Sequence, residues 1–126
     1  MQILDIVEDY NHNLWMGTYT GALFYNPSEG IGSAIRYTSA NSQLQGNTYD
    51  VDVAPDSSIW FAGNGTSRYD PNTGEWQHWP TGNVRMSVQP KPDGSYLVWT
   101  ADYYYGYVTY YSSSSQQFTT YLPETL

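Results

Sequence analysis

Ala54-Pro55-Asp56-Ser57-Ser58-Ile59-Trp60-Phe61-Ala62-Gly63 repeats the pattern of an earlier stretch, Asp9-Tyr10-Asn11-His12-Asn13-Leu14-Trp15-Met16-Gly17-Thr18. A fainter copy follows in Lys91-Pro92-Asp93-Gly94-Ser95-Tyr96-Leu97-Val98-Trp99-Thr100. Each copy is a polar turn running into an alternating apolar strand. Trp15, Trp60 and Leu97 fall at matching places, at intervals of roughly 40 residues. A strand-built period of that length is the signature of a β-propeller blade.

Working outward from these stretches divides the chain into three units, about 3–45, 48–82 and 83–122. In the first, Leu4 and Ile6 alternate with Asp5 and Val7, and strands follow at Leu14 to Thr18, Ala22 to Tyr25 and Ala34 to Tyr37. Asn26-Pro27 and Asp70-Pro71 are matching turns, because Asn and Asp tolerate left-handed backbone and bond their own main chain. The second unit predicts strands at Tyr49 to Val53, Ile59 to Ala62, Thr66 to Tyr69 and Glu75 to Trp79. The third predicts them at Val84 to Val88, Tyr96 to Ala101, Tyr107 to Tyr111 and Gln117 to Tyr121. Tyr25, Tyr69 and Tyr110 align, as do Gly21, Gly65 and Gly106. Thr38 to Asn47 and Pro80 to Asn83 read as loops between units. The expected fold is all-β: three four-stranded antiparallel propeller blades in one chain.

Composition agrees and narrows the function. The 126 residues include 14 Tyr, 5 Trp, 11 Gly and 7 Pro, with only 13% charged, a mixture that favours strands punctuated by turns. Net charge is −8, and Arg36, Arg68, Arg85 and Lys91 are the only cationic side chains. Such a chain is repelled by phosphate backbones and anionic lipid, which argues against nucleic acid and membrane partners. No leader peptide or membrane span is evident, and zero Cys removes disulfides and thiolate metal sites. The Lys-poor, Tyr/Ser/Thr/Asn-rich composition points to an extracytoplasmic (periplasmic or secreted) domain.

The first unit, Glu8-Asp9…Leu14-Trp15-Met16-Gly17-Thr18…Gly21-Ala22-Leu23…Tyr25, resembles the repeat of the two-component regulator propellers, the sensor propellers of bacterial hybrid histidine kinases. The second unit keeps Asp56, Trp60 and Gly65. The third keeps Asp93-Gly94 but carries Leu97 for the aligned Trp. The resemblance implies a multi-bladed ring that senses a ligand, often a carbohydrate, and is not a catalyst. No kinase or DNA-binding segment accompanies it.

Three blades fall short of the four to eight that close a propeller. Two arrangements complete it: a homodimer forming a six-bladed ring, or further blades of a longer chain. Asp5, Asp50 and Asp52 lie on the inner strands, where a propeller lines its channel. Asp9, Asn11 and Asn13 have the alternate spacing of a calcium loop, but lack its Gly and terminal Glu. They read as a hairpin turn. His12 and His78 fall at unrelated places in the repeat, so no shared metal or acid–base role follows, and no cofactor is implied. The third unit has extra residues between its middle strands, at Asp102-Tyr103-Tyr104-Tyr105. Insertions in repeats map to one face, often the binding face. Together with Tyr19 these residues are the candidate site for a carbohydrate or peptide on the loop rim. The sequence therefore predicts a non-catalytic binding or scaffold module. The competing readings are part of a propeller lyase or glycoside-active enzyme with catalytic residues on absent blades, and a purely self-associating repeat.

Overall fold

The computed structural model of the chain describes residues 2–102 and 106–121. Strands β1 (Ile3–Glu8), β2 (Leu14–Thr18), β3 (Gly21–Tyr25) and β4 (Ile35–Tyr37) form one antiparallel sheet in chain order. The second sheet is β5 (Thr48–Val53), β6 (Ile59–Asp70) and β7 (Glu75–Asn83). The third is β8 (Arg85–Pro90), β9 (Tyr96–Ala101), β10 (Val108–Ser112) and β11 (Gln117–Tyr121). Helix among the described residues is limited to two 3-10 turns, Pro27–Glu29 and Ile31–Ser33.

The second sheet departs from the four strands expected, because β6 is extended without a break for 12 residues. It nevertheless doubles back. A straight run of that length spans about 40 Å, whereas Arg68 Nη2 lies 3.3 Å from Asp56 Oδ2. Gly65, at φ +89°, supplies the left-handed backbone for the reversal. The first arm pairs with β5 and the second with β7. The Pro80 to Asn83 stretch, expected as loop, is the end of β7, and Asn83 pairs with Asn64.

Register fixes the repeat. Val7 pairs with Trp15, Asp52 with Trp60 and Gln89 with Leu97, so the three positions are equivalent as the sequence implied. Tyr110 is not the counterpart of Tyr25. Leu14 lies opposite Tyr25, and Tyr96, its equivalent, exchanges hydrogen bonds with Ser113. Tyr110 instead pairs with Trp99, as Ala22 pairs with Gly17.

The sheets bury their faces against one another. Between the first and second lie Trp15, Ala22, Leu44, Val51, Ile59 and Phe61. Between the second and third lie Trp60, Tyr96, Val98 and Tyr111. Tyr37 stacks on Trp15 at 5.7 Å, and Trp79 stacks on Trp60 at 5.6 Å. The polar turns serve these indoles. Asp9 Oδ1 accepts the Asn11 and Asn13 N–H groups while its Oδ2 accepts the Trp15 indole N–H at 3.1 Å. In the second unit Asp56 holds Ser58, whose hydroxyl accepts the Trp60 indole N–H at 2.9 Å. A buried indole needs such an acceptor, which is why turn and tryptophan recur together.

Candidate functional site

The inner strands carry the acidic side chains singled out above. Asp5 Oδ2 accepts the Val51 N–H at 2.9 Å, joining β1 to β5. Asp50 and Asp52 accept the Met86 and Val88 N–H groups at 2.9 and 3.1 Å, joining β5 to β8. These carboxylates therefore lace neighbouring sheets along their inner edges. Burial, together with the adjacent Asp5 carboxyl, pushes Asp50 up to about 6, against the opposing pull of the Met86 N–H and of Arg85.

The rim is built from the turns that follow the second strand of each unit and the loops that enter the next. Tyr19 stands on the β2–β3 turn, 46% exposed, edge-on to Tyr49 at 6.4 Å. The Tyr49 hydroxyl is fixed by the Asn47 amide at 2.9 Å. Asp102 opens the corresponding turn of the third sheet, where its N–H bonds the Tyr107 carbonyl and its own carbonyl accepts from Gly106. Tyr103, Tyr104 and Tyr105 lie outside the described residues.

A cluster that the sequence reading did not single out sits between the second and third sheets. Asp56 Oδ2 accepts the Tyr96 hydroxyl at 2.8 Å and Arg68 Nη2 at 3.3 Å, while the Arg68 guanidinium lies 6.0 Å from the Trp60 ring centre. Burial alone would raise the Asp56 carboxyl, but bonds from Ser58 and Tyr96 and the Arg68 charge hold it below its ordinary value. Gln77, Tyr111, Ser113 and Gln116 complete a polar recess of 160 Å³ around it. The available signal was Arg68 itself, one of four cations in an acidic chain, placed in a strand.

The outer face of the third sheet holds a larger, open groove of 410 Å³, bounded by Leu97, Trp99, Tyr110, Ser112, Thr119 and Tyr121 among others. Trp99 donates its indole N–H to Gln89 Oε1 at 2.8 Å and packs on Tyr110 at 4.9 Å.

The histidines stay apart. His12 Nδ1 lies 3.2 Å from Glu8 on an exposed turn, and His78 Nδ1 lies 2.8 Å from the Ser67 hydroxyl. No group of three or more metal-ligating side chains occurs among the described residues. No helix among them is long and apolar enough to cross a membrane.

Comparison with known proteins follows the same lines. Residues 1–20 match the model of the family described as two component regulator propeller. No curated protein matches the chain in sequence. In structure the chain resembles the extracellular domain of a hybrid two-component system from B. thetaiotaomicron, with TM-score 0.68 and 15% identity. That match covers 94% of this chain and 16% of the other, so the chain spans about a sixth of its neighbour's length. Its opening repeat resembles that of the two-component regulator propellers, and its sheets are propeller blades.

Proposed function

We propose that this chain is a non-catalytic, extracytoplasmic propeller module that binds a glycan on its loop rim. The observation that carries this reading is Tyr19, an exposed ring held edge-on to the anchored Tyr49 where two sheets meet. Aromatic faces stack on the C–H surfaces of sugar rings, and a ring already fixed in place loses little entropy on binding. Asp102, on the corresponding turn of the third sheet, adds an acceptor for sugar hydroxyls, and Tyr103, Tyr104 and Tyr105 follow it in sequence. The extracellular neighbour supports the compartment.

Titration with soluble oligosaccharides, read by tyrosine and tryptophan fluorescence, tests this reading. Tyr19→Ala and replacement of Tyr103 to Tyr105 by Ser should each abolish the response with the fold intact. A response to peptides alone would transfer the rim to a protein ligand. Turnover of the oligosaccharide would favour the enzyme reading.

A further inference from the structure

The two interfaces inside the molecule define what a blade must offer its neighbour, and they show that the two free faces are not equivalent. The docking face of the second sheet presents Val51, Ile59 and Phe61 to the Trp15 side of the first. The third presents Val88, Tyr96 and Val98 to the Trp60 side of the second. By register the counterparts in the first sheet are Ile6, Leu14 and Met16. This face has the same apolar make-up but, among the described residues, belongs to neither packed core. Ile6 is 55% exposed, whereas Val51, its counterpart, is 5% exposed.

The receiving face of the third sheet has been rebuilt at four positions. Leu97 stands where Trp15 and Trp60 stand. Thr119 occupies the place of Tyr37, so the aromatic stack of the first two sheets is missing and the open groove takes its place. Trp99 replaces Gly17 and Ala62, and Ser87 replaces Asp5 and Asp50. The bulk at this place matters most. Ala62 is 1% exposed in the sheet that receives the third, so a methyl fits under a neighbouring blade, whereas the far larger Trp99 indole cannot allow the same approach. Ser87 is also too short to reproduce the carboxylate bond to the neighbouring inner strand.

We infer that the Ile6–Leu14–Met16 face is a docking surface for a further blade entering ahead of β1. That blade presents a buried Trp, a small residue at the Gly17 place and an inner-strand Asp, and the third sheet's outer face does not accept a blade in this way. A second copy of the chain is then a poor partner, because among the described residues its only free receiving face is the rebuilt one. Its two suitable faces, on the first and second sheets, are already occupied.

The test is directional. A second copy of residues 1–47, which carries Asp5, Trp15 and Gly17, is joined ahead of Met1 of the full chain, and in a separate protein after Leu126. The front fusion should raise the thermal midpoint by about 5 °C or more, and the rear fusion should leave it unchanged. Ile6→Glu in the parent part should leave the parent midpoint unaltered, since Ile6 is largely exposed, and should remove the rise in the front fusion. No rise at the front, or an equal rise at both ends, overturns the inference. So does a parent chain that dimerises in light scattering and becomes monomeric on Ile6→Glu.

Discussion

The Asp5 carboxylate spans two inner strands, taking the N–H of Ile6 on Oδ1 and that of Val51 on Oδ2, both at 2.9 Å. Asp50 repeats the reach toward Met86 from a site beside Asp5, where burial first and the neighbouring carboxyl second raise its pKa.

The folded protein holds a proton on Asp50 to about pH 6, whereas an unfolded Asp releases it near 3.9. The folded state therefore binds more protons between these values, and stability falls as pH rises through that window before levelling off. Asp50→Asn keeps an acceptor for Met86 and removes the charge, so it should flatten this slope and stabilise the protein at pH 7.5. Urea midpoints at pH 4.5 and 7.5 measure it. His78, which burial lowers, contributes to the pH dependence with the opposite sign, so the difference between parent and variant carries the reading. A variant with an unchanged slope refutes the assignment.

Trp60 is fully buried and stacked on Trp79. Trp60→Ala should cost about 3–5 kcal/mol. Trp60→Phe should cost less, but more than volume alone, because the Ser58 hydroxyl loses its indole donor. Chemical denaturation of the two variants separates packing from hydrogen bonding.

Asp56 ties Ser58, Arg68 and Tyr96 together across two sheets. Asp56→Ala should cost about 1–3 kcal/mol through the partners it strands, and should speed amide exchange at Tyr96 and Val98. Because the Asp56 carboxyl is held low, its contribution is present near neutrality and is lost in acid as pH falls through its lowered value. The parent and variant should therefore converge in stability at low pH. Exchange confined to the first sheet would contradict this assignment.

Gly63 and Gly32 give a matched pair. A Cβ at Gly63 would lie 1.7 Å from the Asn47 carbonyl oxygen, whereas one at Gly32 meets nothing within 4 Å. Gly63→Ala should destabilise by at least about 2 kcal/mol through forced backbone movement. Gly32→Ala should stay within about 0.5 kcal/mol of the parent. Thermal melts of the two decide it.

The blade pattern was legible because each element is specified locally, by alternation on strands such as Ile59 to Ala62 and by Asx turns at Asp9 and Asp56. The continuity of β6 was not, since Asn64-Gly65 looks like an ordinary hairpin break whether or not Asn64 also pairs with Asn83. Tyr110 was misaligned with Tyr25 because aromatic identity was followed in place of register. The Asp56–Arg68–Tyr96 cluster joins residues from different units, and no periodicity within one unit encodes such a meeting. Asp5, Asp50 and Asp52 were found as inner-strand residues, but their bonds run between sheets and had no local signal.

Those carboxylates also have a consequence for solubility. An inner strand at the edge of a sheet offers main-chain N–H groups that any stray extended segment can pair with, the first step toward fibrillar assembly. Here the Val51, Met86 and Val88 donors are already occupied by side chains of the adjacent strand. A foreign strand would have to displace an anion at each of them. The negative charge along this margin thus works as a guard against unwanted strand addition.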